Sequence, residues 1–212
     1  MLDHIIEQAR EEEIFSREDT PTEQRVLAGF MYHAGLSFRR IEPFVDVCHV
    51  AVHDWYHRLK HLFEPDRDRR EAVAVDETKL DIEDEEVYVW AAVDVDTFEV
   101  LHIEVSPGRS SLDALLFLKE VLTYCRGQPV VLADRGDWYD WPLDLLECEG
   151  KRETWGDRSL IEAWFSVLKY RTMLFRRRFP HYSTRESTES WLTAFAALHN
   201  AISKVNTLPA TS

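Results

Sequence analysis

Cysteine is scarce in this 212-residue chain: Cys48, Cys125 and Cys148, an odd number with no C-x-x-C spacing. That argues against a disulfide scaffold and against a zinc ribbon. No apolar run approaches the ~18 residues that a membrane span needs. The opening MLDHIIEQAR has no basic region followed by an apolar stretch, so no signal peptide is expected. Lysine is rare as well, 6 residues against 19 arginines. Repeats and low-complexity tracts are absent from the sequence. With 45% apolar and 12% aromatic residues, the chain can bury a core and is not composed like a disordered one. These features lead us to expect a soluble cytoplasmic protein with no membrane partner.

What is abundant is acid. The 39 Asp and Glu against 25 Lys and Arg give a formal charge of −14. Most nucleic-acid binders carry a basic footprint instead. The charge is unevenly spread, however. Residues 71–150 carry 20 acids and 5 bases, net −15, whereas residues 151–212 carry 5 acids and 10 bases, net +5. A lysine-poor, acidic composition also suits a cytoplasm of multimolar salt, where self-repulsion is screened.

The patterning divides the chain. Residues 1–21 are acid-rich and predict a short exposed helix or a loose segment. Residues 22–63 predict three short helices. The first starts at Thr20-Pro21-Thr22-Glu23 with Val26, Leu27, Phe30 and Met31 apolar, and ends at Gly35. A second spans Ser37 to Phe44, with Phe38, Ile41 and Phe44 on one side. The third, His49 to Leu62, buries Val52, Trp55, Tyr56 and Leu59. Short helices joined by tight turns suggest a helix-turn-helix unit or a small helical bundle. Residues 64–70, Glu-Pro-Asp-Arg-Asp-Arg-Arg, read as a linker.

From residue 71 to 205 the period changes. Ala72–Val75, Val87–Val95 and Val100–Val105 predict three strands in an antiparallel meander. Leu112–Tyr124 predicts a helix, Pro129–Ala133 a buried strand, and Ser159–Phe175 and Thr184–Val205 two further helices. That order means an α/β domain with a mixed sheet and flanking helices; residues 206–212 are a tail.

Two acids end apolar strands: Asp76 after Ala74-Val75, and Asp134 after Val131-Leu132-Ala133. An acid there is costly without a partner or a cation, and two strand-end acids on one sheet can meet at a common edge. Glu162 borders the stripe Ile161, Trp164, Phe165 and Leu168, and Lys169 follows it by two helical turns on the same side. Cys48 and Trp164 read as core. His49, His53, His57 and His61 recur every four residues; with no third ligand supplied nearby, they read as a polar helix face near DNA rather than a metal site.

Val75-Asp76-Glu77-Thr78, Leu132-Ala133-Asp134-Arg135-Gly136 and Ser159-Leu160-Ile161-Glu162 with Lys169 together resemble a DDE transposase. The stretch from Asp76 to Asn200, including Tyr88–Asp94 and Trp191–Asn200, is similar to the insertion-sequence-six family, above all its short haloarchaeal forms. Ala34–Arg40 and Val52-His53-Asp54-Trp55 are similar to that family's helix-turn-helix region. Only 27 residues separate Asp134 from Glu162, an interval shorter than in most bacterial members. The resemblance implies a ribonuclease-H-like catalytic domain preceded by a small all-α region. It implies catalytic and metal-ligating roles for Asp76, Asp134 and Glu162, with two Mg2+ or Mn2+ ions, Asp76 shared between them. Such hard carboxylate donors suit these ions, which stabilise attacking and leaving oxygens in phosphodiester chemistry. It further implies cleavage and joining of double-stranded DNA at terminal inverted repeats and target, as a homo-oligomer associated with the nucleoid. Phosphate contacts are expected from Lys169, Arg171, Arg176, Arg177, Arg178, Arg39, Arg40, His53 and Arg58, with Lys151, Arg152 and Arg158 near them in sequence. Arg109 matches a family arginine. The alternative is a retired relative that binds DNA as a repressor, or a ribonuclease-H-like nuclease acting on RNA.

The charge distribution sets a first prediction. Ordinary phosphate-driven binding weakens by roughly 0.9 log units per log of salt for each neutralised phosphate, whereas an acidic chain repels itself most in dilute buffer. The melting temperature should rise as potassium chloride goes from tenths molar to molar, with binding of element ends retained. A flat or falling melting temperature would remove the high-salt explanation of the acidic composition.

Overall fold

The computed structural model describes residues 2–15, 19–82, 85–134, 136–152, 159–173 and 183–207. The chain divides into two compact units, 1–64 with 190–212, and 65–189. The second division falls inside the last helix, so the C-terminal end groups with the N-terminal helices and not with the sheet.

The first unit is helical. Helix α1, Leu2–Glu11, buries Ile5, Ile6 and Ala9. The expected exposed or loose segment is therefore a packed helix, its apolar stripe hidden in sequence among glutamates. Helix α2, Thr22–His33, follows Pro21 and buries Val26, Ala28, Gly29 and Tyr32. Its inner face is rotated from the one expected, for Leu27 is exposed. Arg25 takes an inner position because its guanidinium lies over Phe15 at 5.1 Å and Trp55 at 5.6 Å, a stacked cation needing less water.

Helix α3, Phe38–Val45, is capped by the Ser37 hydroxyl, which accepts from Arg40 N. It buries Ile41 and Val45 and stacks Phe38 on Tyr32 at 3.8 Å, while Phe44 faces solvent. Asp46, with φ 50°, turns the chain into α4, His49–Arg58. Val52, Trp55 and Tyr56 are buried there as expected, and Leu59 follows in a 3-10 turn. Cys48, read as core, is exposed at the start of α4: the turn residue before a helix points outward. Helix α8, Arg185–Thr207, supplies Trp191, whose indole donates to the Tyr32 hydroxyl at 3.1 Å.

The second unit is built on a five-stranded sheet. Strand β1 is Ala72–Ile82, β2 Glu85–Asp94, β3 Val100–Ser106, β4 Val130–Ala133 and β5 Gly150–Arg152, in the order β3-β2-β1-β4-β5. The first three form the expected antiparallel meander, and β4 and β5 run parallel to β1. With helices on the sheet, this is the ribonuclease-H-like arrangement. β1 continues well past Val75 because Glu77, Lys79 and Asp81 alternate with Thr78, Leu80 and Ile82, a polar strand without an apolar run to reveal it. β5, three residues long and polar, shows no periodicity that would predict it.

Helix α5, Ser111–Thr123, opens with a capping box between Ser110 and Asp113, a device that satisfies two otherwise orphaned backbone donors. Its Ala114, Phe117, Leu118 and Val121 pack on Val73, Val75, Trp90, Leu101 and Val131. Helix α6, Asp140–Leu145, adds Leu143 to this core. Helix α7, Ser159–Met173, packs on β1 and β2, with Ile161, Trp164, Phe165 and Leu168 buried.

The last residue of the expected linker is structural. Arg70 is buried, its guanidinium bonded to Asp94 at 3.1 Å, Glu99 at 2.8 Å and the Asp66 carbonyl at 2.7 Å. Asp94 in turn accepts from the backbone of Asp96 and Thr97 in the β2–β3 turn. Replacing Arg70 by Met would leave two buried carboxylates without their cation. The expected loss is about 3–5 kcal/mol, read as a shift in the denaturant midpoint; a change under about 1 kcal/mol would show the cluster to be dispensable.

Candidate cation and nucleic-acid site

Register brings the two strand-end acids together. β1 pairs β4 through Ala72 with Val130, Val73 with Val131 and Ala74 with Leu132. Two residues further along that register, Asp76 faces Asp134. The ladder has ended by then, because β4 stops at Ala133, so the edge of β1 is open where both carboxylates lie. Asp134 is fixed by the Gly136 N–H, which donates to its Oδ1 at 2.7 Å.

A third acid joins them. Asp76, Glu77 and Asp134 each offer a carboxylate oxygen, all within 4.8 Å of one another. Side chains adjacent on a strand normally leave opposite faces; here the Asp76 carboxylate folds toward its neighbour and accepts from the Glu77 N–H at 3.0 Å. Arg109 Nη1 donates to Glu77 Oε1 at 3.1 Å, and the Tyr139 hydroxyl donates to Oε2 at 3.0 Å. Burial pushes the Glu77 carboxyl above its usual range; Tyr139 opposes this, while Asp76 and Asp134 add to it. The donor set is three hard oxygens with excess negative charge, which fits magnesium or manganese.

Arg109 is itself held. Its guanidinium lies 3.8 Å from the Trp138 ring centroid and 5.4 Å from that of Tyr88. Tyr139 is packed in the core edge-on to Trp90. Arg109 has no assigned role in the sequence, and Glu77, Trp138 and Tyr139 carry no assignment there. The Glu77 signal was present in Asp76-Glu77-Thr78; the two aromatics, by contrast, look like ordinary core.

Glu162 lies exposed in the first turn of α7, outside the three-acid cluster. Lys169 is also exposed. It lines a groove of about 440 Å3 with Thr78, Lys79, Leu80 and Asp81 of β1, Glu86 and Val89 of β2, and Leu168 and Thr172 of its own helix. Arg171, expected at a phosphate-facing surface, is only 5% exposed; it lies on the side of α7 that turns inward. Arg176, Arg177 and Arg178 lie outside the described residues, as does Arg158.

In the helical unit Arg39, Arg40, His53 and Arg58 are all exposed. The histidine stripe is divided in its contacts. His49 Nδ1 lies 2.6 Å from Glu42 Oε1, and His57 Nδ1 lies 3.0 Å from Ser190 Oγ. Burial, and then the neighbouring His53, pull His57 down to about 4. Among the described residues these histidines form no metal-ligating cluster, and no helix is long and apolar enough to cross a membrane.

A family model described as a DDE domain matches residues 70–204. The chain belongs to the DDE-domain transposase family. A protein of Methanocaldococcus jannaschii, itself uncharacterized, is 38% identical over 204 residues, 94% of this chain and 95% of that one. An uncharacterized Aquifex aeolicus protein is 38% identical over 58 residues, covering 27% of this chain and 48% of its own. Solved structures similar to this DDE-domain chain include the HTLV-2 integrase catalytic core domain in complex with magnesium. It shows 12% identity and a TM-score of 0.45 over 61% of this chain and 85% of that one. A simian T-cell lymphotropic virus intasome in complex with a PP2A regulatory subunit gives 14% identity and a TM-score of 0.47, over 89% and 70%.

Gly136 stands between Asp134 and the Arg109 stack. A methyl group added there would come within 2.2 Å of the Trp138 ring. Gly136→Ala should therefore cost about 1–3 kcal/mol through overpacking, read by chemical denaturation. In a Trp138→Ala background the same substitution should cost little; equal costs in both backgrounds would show that the ring is not the obstacle.

Proposed function

We propose that this DDE-domain chain is a transposase of the insertion-sequence-six type. It binds the terminal inverted repeats of its own element and catalyses divalent-cation-dependent strand cleavage and strand transfer. The convergence of Asp76 and Asp134 at the open edge of β1 carries this reading. Glu162 completes the catalytic set. Lys169 lines the groove beside Thr78–Asp81, and Glu162 precedes it by about 10 Å of helix. The spacing that places Glu162 and Lys169 on one side of α7 supports this assignment.

Magnesium or manganese suits this donor set, and Asp76, Asp134 and Glu162 would hold the ions. When bound, such ions supply charge stabilisation at the attacking and leaving oxygens. In cleavage a water oxygen bonds to phosphorus, the bond to the 3′ oxygen breaks, and that oxygen leaves as a hydroxyl. In transfer that hydroxyl bonds to a target phosphorus and releases the target's own 3′ oxygen. The chain's part is to hold and orient: the three carboxylates fix the reacting phosphate's surroundings, and Lys169 holds a neighbouring phosphate. Arg39, Arg40, His53 and Arg58, exposed in the helical unit, serve end recognition in a helix-turn-helix manner. The +5 segment after Gly150, with Arg176–Arg178, supplies further phosphate contacts, and the protein works as a homo-oligomer on DNA at the nucleoid. The acidic segment 71–150 supports a high-salt, haloarchaeal-like setting.

Strand transfer with pre-cut element ends at high salt tests the reading. Asp76→Asn, Asp134→Asn and Glu162→Gln should each lower it by about three orders of magnitude or more, equivalent to several kcal/mol of lost stabilisation, with end binding retained. Calcium, bound at longer distances with looser geometry, should not replace magnesium. Near wild-type transfer by any one variant would remove that residue from the set, and comparable turnover in calcium would argue against the carboxylate–cation chemistry.

A further inference from the structure

We infer that Glu77 is a third carboxylate of the cation site formed by Asp76 and Asp134, aimed into it by Arg109 and Tyr139. This rests on the reading of that site given above and adds a residue to it. The oxygens of the three acids lie within 4.8 Å of one another, a spacing that the oxygens around one hexacoordinate magnesium or manganese satisfy, with ligand distances of about 2.0–2.1 Å for magnesium.

Burial separates Glu77 from an incidental neighbour. Its side chain is 3% exposed, and Arg109 is the cation bonded to it. A divalent cation beside the half-buried Asp76 and Asp134 would add positive charge to this acidic edge, which a buried Glu77 carboxylate also favours.

The hydrogen bonds leave room for a ligand role. An ionised carboxylate has about four acceptor positions. Arg109 occupies one on Oε1 and Tyr139 one on Oε2, so each oxygen retains a further position. Carboxylates that bind metals are characteristically fixed in this way by outer hydrogen-bond partners. Both partners are themselves immobilised, Arg109 by Trp138 and Tyr88, and Tyr139 by the core around Trp90. Arg109 and Tyr139 are thus positioning residues. The β1–β4 register sets Asp76 opposite Asp134, and the Glu77 N–H bonds the Asp76 carboxylate at 3.0 Å, which brings the three acids together.

Mn2+ alone, titrated into the full chain without DNA and followed by electron paramagnetic resonance, tests the assignment. Glu77→Gln and Tyr139→Phe should each weaken Mn2+ binding about tenfold or more, with circular dichroism spectra unchanged. Glu77→Asp, which keeps the charge but shortens its reach, should weaken binding as well. Asp76→Asn should abolish it. A folded Glu77→Gln protein that binds Mn2+ within twofold of wild type, while Asp76→Asn has lost it, would overturn the inference and leave Glu77 as a brace for Arg109. If Glu77→Gln fails to fold, Tyr139→Phe decides, since it keeps the buried ring; unchanged affinity there overturns the inference equally. Wild-type Mn2+ affinity in both Asp76→Asn and Asp134→Asn would instead overturn the underlying reading of the site.

Discussion

The short parallel pairing of β4 with β1 governs everything at the site. It runs only from Ala72 to Ala74 on β1 and then stops, while β1 continues alone on that side. A longer ladder would seat Asp76 and Asp134 in a closed sheet, each side chain committed to one face. A shorter one would lose the register that sets them opposite each other. The carboxylates meet because pairing persists long enough to align the strands and ends early enough to leave their edge open. Arg109, Trp138, Tyr88 and Tyr139 are then arranged around an acidic edge that the sheet itself creates.

Much of this was legible in the sequence, for identifiable reasons. The meander and β4 announced themselves as runs of β-branched residues, and α5 and α7 as helical stripes. Asp76 and Asp134 stood out because each ends such a run. Legibility failed wherever a segment's role depended on partners distant in sequence. Arg70 looked like one more charge in a polar linker, and only the Asp94 and Glu99 carboxylates around it make it a core residue. Arg171 looked like a phosphate contact, but its position on the helix turns it inward. The buried stripe of α1 was masked by the glutamates that follow it, and β5 is too short and polar to show any period. Glu77 was visible in its motif; its convergence with the two aspartates depends on sheet order, which single-sequence patterning does not encode.

Arginines in both units exploit the planar guanidinium, which bears on why the chain contains so little lysine. Arg25 spreads its guanidinium over Phe15 and Trp55; Arg109 does so against Trp138 and also bonds Glu77. Arg70 bonds two carboxylates and a carbonyl. Each arrangement needs a planar, delocalised cation with several fixed donors, and a compact, strongly hydrated ammonium supplies neither the plane nor the fork. In so acidic a chain the few cations placed inside must hold several partners each.

The half of β1 that continues past Ala74 also bears on association. Among the described residues, from Val75 to Ile82 the strand pairs with β2 on one side and with no strand on the other. An unpaired strand edge is a template onto which a foreign strand can add. Its outward positions carry Lys79 and Asp81, both exposed, and Lys79 is tied across to Glu86 of β2. Charged residues on such an edge disfavour the addition of a foreign strand, and the same residues are what hid this strand from view in the sequence.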